Sequence, residues 1–285
     1  MTERPTLSVI IPAGDRSRSA NLEALLADVR AQTWPPDEIE IVCGVQPNGR
    51  ARNVGLERTS GEIVIFLDDD VRLGNPDLFQ RFAECLVAEP DLGMVGSAQL
   101  LPPNSSRFQR RCARQIPRSE CAVVDRLTES DMVTTQCCAM RRSVLLGVGG
   151  FHDRILRGVD PELRHRLRQR GYRIAIVPHT WHYHPMPATL GALLRMAWRN
   201  GVSSAFARRF YPQAVLITPE GHVAEFEAQP SLPRRVARQA WGWVRDLLTG
   251  RWYGLIFRTV YLAANLWGAW RWRQPDRPRR TAREV

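Results

Sequence analysis

Lysine is missing from the 285 residues; all 40 members of the Lys+Arg class are arginines. Lysine nucleophiles and Schiff-base chemistry are therefore excluded. None of the six cysteines stands in a CxxC pair, so the spacing of thiolate zinc sites is missing as well. The start MTERPTLSVIIP has an apolar run too short for a secretory h-region, and the thiols read as reduced in a cytoplasmic protein. Residues 1–230 lack a charge excess, with 28 Arg against 26 Asp and Glu. They carry no basic stripe, so no nucleic-acid partner is expected. Internal repeats and low-complexity stretches are also absent. With 44% apolar and 24% charged residues, the composition excludes a disordered or fibrous chain.

Residues 231–285 lack acid. Only Asp246, Asp276 and Glu284 face 12 Arg, a net +9, and six of the nine Trp fall in the same stretch. A near-neutral body thus precedes a basic, Trp-rich tail.

The body alternates apolar strands with helical stretches. Leu7–Ile11, Ile39–Cys43, Glu62–Leu67 and Met94–Ala98 read as strands, and 21–32, 50–58 and 76–88 as helices between them. Short connections in such an alternation predict a doubly wound, mainly parallel α/β sheet, with ligands bound beyond the carboxyl ends of its strands. Residues 99–132 read as a long irregular excursion. Val133–Met140 then predicts a strand, Arg142–Val148 a short helix, Pro161–Arg170 a helix, Arg173–Val177 a strand and Thr189–Arg209 a long helix. Residues 234–273 read as helical.

The third strand runs straight into Asp68-Asp69-Asp70. Residues i and i+2 after a strand project to one side, so Asp68 and Asp70 can share a hard cation, Mg²⁺ or Mn²⁺. A solvated acidic turn is the plainer explanation of the same three residues. His182 and His184 alternate in WHYHP; a zinc site, a single metal- or diphosphate-facing histidine, and simple packing are all open there.

Five collinear segments carry a resemblance. LSVIIPAGDR, GRARNVGLERTSGEIVIFLDDD, CCAMRRSVLLGVGGF, GVDPELRHRLRQRGYRIAIVPH and WRNG, spread over roughly residues 7–201, resemble in order the motifs of family 2 glycosyltransferases of the GT-A fold. The resemblance implies an inverting transfer of a sugar from a nucleoside-diphosphate donor to an acceptor hydroxyl. It assigns Asp70 and Asp68 to the metal, with His182 beside them. Asp160 matches the general base, and Glu162, two residues on, is the alternative proton acceptor. Val159 stands where the family has Glu. Asp160, ahead of Pro161, also has a structural explanation as a helix cap. Pro12, Ala13, Gly14 and Asp15 match the loop under the nucleoside. Arg52 and Asn53 match an Arg-Asn helix start suited to phosphate. Asp68, which in the family lies near the donor ribose as well as the metal, and Asp69 group with the nucleotide-sugar contacts. Cys43 occupies a position that is usually Asp, which leaves the donor base open.

Residues 1–211 thus read as a GT-A catalytic domain, 212–233 as a linker and 234–285 as a basic amphipathic helical tail. Residues 252–270 form a mostly apolar run in which Arg251, Arg258 and Asn265 recur every seven residues as one polar stripe. That pattern suits a helix lying in an anionic membrane interface, with a spanning helix and an ordinary packed helix as alternatives. The expected protein is a peripheral enzyme at the inner face of the cell membrane, acting on a glycan or lipid-linked acceptor. Its rivals are a sugar-nucleotide nucleotidyltransferase, for which PAGDRSR is poor in glycine, and a catalytically inactive membrane adaptor.

Overall fold

The computed structural model describes residues 4–14, 19–215 and 232–273. Asp15 lies outside the described residues, as does most of the expected linker. The elements follow in the order β1 (Leu7–Ala13), α1 (Ser19–Arg30), β2 (Glu38–Cys43), α2 (Asn48–Arg58), β3 (Ile63–Leu67), β4 (Arg72–Leu73), α3 (Leu78–Ala88) and β5 (Leu92–Leu100). After these come α4 (Arg107–Gln115), β6 (Thr128–Glu129), β7 (Cys137–Arg141), α5 (Arg142–Gly147), α6 (Val159–Gln169), β8 (Arg173–Tyr183), α7 (Leu190–Phe210), α8 (Leu232–Leu248) and α9 (Trp252–Arg271).

One sheet holds the strands in the order β2-β1-β3-β7-β5-β8-β4, with β6 attached to β8. β1 runs parallel to β2 and β3, and β5 parallel to β8. β7 runs antiparallel to both its neighbours, pairing Leu67 with Cys137 and Gly96 with Cys138. The reversed strand brings its amino end to the edge where β1, β2 and β3 deliver their carboxyl ends. Alternate residues divide the core between the two faces of the sheet. Ile10, Val64, Phe66, Cys138 and Ile176 pack with Leu56, Leu145 and Leu163 on one side. Val9, Ile11, Ile65, Cys137 and Val177 pack with Leu25, Phe79 and Phe82 on the other. Period-two alternation with both faces apolar is what a helix-covered sheet requires.

Several stretches differ from the sequence expectation, among them β8, which continues past Val177 to Tyr183 and so carries His182 into the sheet. The excursion 99–132 contains α4, opened by a capping box in which Ser106 and Gln109 bond each other's backbone. Residues 133–136 form a loop, because the reversed strand starts only at Cys137. The helical stretch 234–273 is broken by the turn around Gly250 into α8 and α9.

The tail is tied to the body. Within the tail, buried Asp246 joins α8 to α9, receiving the Arg258 guanidinium at 2.8 Å, with Arg245 at 3.4 Å and Arg251 at 3.6 Å, while the bonds that follow reach the body. Asn265 donates to the Gly201 carbonyl at 3.0 Å. Hence the residues that read as the wet face of the helix, Arg251, Arg258 and Asn265, are the ones turned toward protein. The ends of α4 and α9 cap each other. Gln115 Oε1 accepts from the Tyr253 and Gly254 amides at 2.8 and 3.3 Å, while Arg251 donates to the Arg114 and Gln115 carbonyls at 3.1 and 2.8 Å. Orphan donors of one helix and orphan acceptors of the other are satisfied in one exchange.

Candidate active site

The carboxyl edge gathers the residues singled out in the sequence. Pro12 and Ala13 end β1 beside Val42 and Cys43 of β2, with Cys43 exposed. Asp69 is buried and accepts from the Gly14 amide at 2.9 Å. Its carboxylate therefore ties the acidic turn to the end of β1. Arg52, almost fully buried, donates to Asp68 Oδ1 at 2.7 Å and lies 5.7 Å from the centroid of Phe151. Burial pushes the Asp68 carboxyl up to about 6; Arg52 and His184 oppose the rise, and Asp70 and Asp160 add to it.

Thr135 connects the two halves of the site. Its carbonyl accepts from Arg52 at 3.4 Å, while its hydroxyl and amide donate to Asp160 Oδ1 at 2.5 and 3.3 Å. Next to it, the Gln136 carbonyl accepts from the Asp68 amide at 3.0 Å. The sequence predicts strand here and does not single out Thr135; the local signal is a polar run, Thr134-Thr135-Gln136, between Val133 and the apolar residues from Cys137 on.

Asp160 lies in the first turn of α6, but the N-cap is Gly158 and no side chain caps the helix. The capping explanation for Asp160 therefore gives way to its bond with Thr135. Glu162 is held by both oxygens on Arg166, at 2.6 and 2.8 Å, and the same guanidinium reaches the Val148 and Gly150 carbonyls. It ties α6 to the Gly149-Gly150 turn. That turn is locked from the other side by Asn53, whose amide group both donates to and accepts from the Phe151 backbone at 2.8 Å. Gly150 has φ +70°, and a Cβ there would stand 2.9 Å from Asn53 Oδ1. The Arg-Asn and Gly-Gly-Phe motifs, 98 residues apart, are thus two halves of one contact.

His184 Nε2 lies 3.5 Å from Asp70 Oδ1. His182 is buried; its Nδ1 shares a hydrogen bond with Ser97 at 2.8 Å, and its Nε2 has no partner among the described residues. Burial drives its pKa down to about 3, with His184 adding to the fall, so it is neutral at physiological pH. Of the two alternating histidines, the one at the acidic turn is His184. Among the described residues, no three His, Cys, Asp or Glu side chains are gathered closely enough to hold an ion by themselves. The Asp70 carboxylate, with the His184 imidazole beside it, nonetheless offers an oxygen donor that fits Mn²⁺ or Mg²⁺, ions that commonly draw the rest of their shell from water and substrate phosphates.

A mixed sheet with an acidic turn, an Arg–Asp pair and a second carboxylate at its carboxyl edge is the arrangement that the resemblance to GT-A glycosyltransferases implies. The profile of the family described as "Glycosyltransferase like family 2" matches residues 2–203, and the chain belongs to that family. It is similar to glycosyltransferase AglE of Haloferax volcanii, 24% identical over 230 residues, which cover 69% of this chain and 72% of that protein. It also resembles O-antigen biosynthesis protein RfbC of Myxococcus xanthus, 26% identical over 143 residues, 45% of this chain and 11% of that one. Among solved structures, the mannosyltransferase PcManGT of Pyrobaculum calidifontis, in complex with GDP-Man and Mn²⁺, shares the fold. Its TM-score is 0.57 and its identity 18%, over 95% of this chain and 88% of that one.

Proposed function

We propose that this glycosyltransferase acts with inversion and with a divalent cation, moving a sugar from a nucleoside-diphosphate donor to a hydroxyl of a glycan or lipid-linked acceptor at the inner membrane face. The observation that carries the reading is Asp160. Thr135 holds its carboxylate through one oxygen and aligns it with the Arg52–Asp68 pair. The second oxygen is the proton acceptor. As the acceptor oxygen forms its bond to the anomeric carbon, the bond from that carbon to the diphosphate oxygen breaks on the opposite face, and the hydroxyl proton passes to Asp160. Orientation and a placed base together reduce the barrier. Asp70 and His184 would hold the cation, and a cation there supplies charge neutralisation for the departing diphosphate. Asp68 stays with Arg52. Pro12, Ala13 and Cys43 line the nucleoside side.

Association with the membrane rests on the tail. Among the described residues no helix is long and apolar enough to cross a bilayer. Trp241, Leu247, Leu248, Trp252, Leu266 and Trp270 are exposed, and the tail is basic. A basic surface with exposed tryptophan suits the interface of an anionic bilayer.

Two substitutions test the assignment of the base. Asp160→Asn lowers Mn²⁺-supported transfer by roughly 10²–10⁴-fold with donor binding, measured by calorimetry over a panel of sugar nucleotides, changed little. Glu162→Gln lowers thermal stability through Arg166 but keeps the rate within a few-fold. The opposite pattern moves the base to Glu162 and overturns the assignment.

A further inference from the structure

A cleft of about 360 Å³ lies between α4 and the turn joining α8 to α9, and none of its lining residues belongs to the candidate active site. Arg111, Arg114, Gln115, Gly250, Trp252 and Tyr253 line it. α4 has the sequence RFQRRCARQ, four arginines and no acid. Arg110 spends its guanidinium on the Ser105 and Pro103 carbonyls. Arg111 and Arg114 are exposed at the cleft, with no hydrogen-bond or ion-pair partner among the described residues. Two unneutralised guanidiniums side by side repel each other unless an anion joins them, and a phosphate matches their fork geometry. The floor is fixed: Gln115 is held by the start of α9, and Tyr253 packs edge-on against Phe108 with centroids 5.0 Å apart.

Beside this polar site the surface is apolar. Leu248 is 77% exposed and Trp252 57%, on either side of the Gly250 turn. Trp241 and Val244 continue the exposed apolar face along α8, spaced i, i+3, i+7 with Leu248. A single-stranded nucleic acid would use the arginines and the indole but gives no reason to expose Val244, Leu247 and Leu248. A phospholipid uses all of them, since its phosphate lies at the depth where arginine and tryptophan settle and its chains lie where leucine does.

We propose that this cleft seats the phosphate of an anionic phospholipid on Arg111 and Arg114, with Leu247, Leu248 and Trp252 entering the acyl region. The site rests on the membrane reading given above and adds to it a specific place of contact. It lies partly in the catalytic domain, on α4, so it fixes the orientation of the enzyme on the bilayer as well as its attachment.

The test uses the full chain and co-sedimentation with vesicles of phosphatidylcholine alone or mixed with phosphatidylglycerol. Arg111→Gln/Arg114→Gln is compared with Arg30→Gln/Arg126→Gln, which removes the same charge from exposed positions elsewhere. At low salt the first pair weakens partitioning into the anionic vesicles by about 30-fold, while the second does so only a few-fold. Trp252→Ala reduces the part of the binding that survives high salt. Circular dichroism confirms that all variants fold. Equal losses in the two arginine pairs reduce the effect to net charge and overturn the site while keeping the membrane reading. A wild-type chain that ignores every vesicle overturns both. Loss of binding to a labelled single-stranded RNA, with vesicle binding unchanged, reassigns the cleft to nucleic acid.

Discussion

Gly201 sits where α7 meets α9, and a single methyl group there measures how firmly the tail is docked. A Cβ on residue 201 would stand 2.3 Å from the Tyr261 carbonyl oxygen, 2.7 Å from the Ala264 Cβ and 3.0 Å from the Asn265 amide nitrogen. Carbon and oxygen in contact normally keep about 3.3–3.6 Å. α9 must then retreat by roughly 1 Å, because two of the three atoms are backbone and cannot swing aside. A gap of that size forfeits about a quarter to a half of the dispersion energy along the seam. It also stretches the 3.0 Å bond from Asn265 to the Gly201 carbonyl beyond useful length. Overpacking costs about 1–3 kcal/mol and the lost hydrogen bond about 1 kcal/mol. The better helix propensity of alanine returns about 1 kcal/mol. Gly201→Ala is therefore destabilising by about 1–3 kcal/mol, and hydrogen exchange accelerates in α9 before it does in the sheet. Gly147→Ala is the control, since nothing lies within 4 Å of a Cβ there. Both are read by scanning calorimetry and exchange mass spectrometry. If Gly201→Ala proves as harmless as Gly147→Ala, α9 does not lie on α7 as described, and the inward orientation of Asn265 fails with it.

Two further predictions concern the body. The Glu38 carboxylate accepts from Ser8, from the Ser60 hydroxyl and amide and from the Gly61 amide, and the Ser60 and Ser8 hydroxyls lead in lowering its pKa from 4.5 to about 2. A depressed carboxyl stabilises above its unfolded pKa and loses that contribution as pH falls through the folded one; the melting-temperature gap between wild type and Glu38→Gln is full at pH 7, shrinks below about pH 4.5 and closes near pH 2. Asn53→Ala strands both backbone groups of Phe151, costs about 2–3 kcal/mol by urea unfolding, and lowers transfer because Arg52 is the adjacent residue; the stabilities of wild type and variant should not coincide.

Much of the fold was legible because its signals are local. β1, β2, β3 and β5 are apolar runs ended by breakers or acids, and their ends fall within two or three residues of expectation. The direction of β7 was not legible, since strand polarity depends on where the excursion 99–132 returns the chain. α4 carried a readable start signal, Ser106 with Gln109 three residues later, hidden by the arginines that follow. At the site, the acidic turn and Asp160 stood out by residue type. Thr135 did not, because a threonine that bridges an arginine and an aspartate looks in sequence like any threonine. The Arg251–Arg258–Asn265 stripe misled for a different reason. Its period was correct, but buried Asp246 and the Gly201 carbonyl attract polar groups as strongly as water does.

The exchange of caps between α4 and α9 makes two distant stretches of chain one thermodynamic unit. With α9 undocked, the Arg114 and Gln115 carbonyls lose the Arg251 guanidinium, and the Tyr253 and Gly254 amides lose Gln115. Neither helix end then keeps its partner, so the two open together. A fragment cut before α8 inherits a frayed α4, and with it a loosened wall around Met186, whose carbonyl Gln109 of that helix holds at 2.7 Å. Met186 follows His184 by two residues. The stretch that leaves the sheet at the acidic turn is in this way braced by the C-terminal helix, and shortening the protein at its far end would be felt as lost order next to the histidine that faces Asp70.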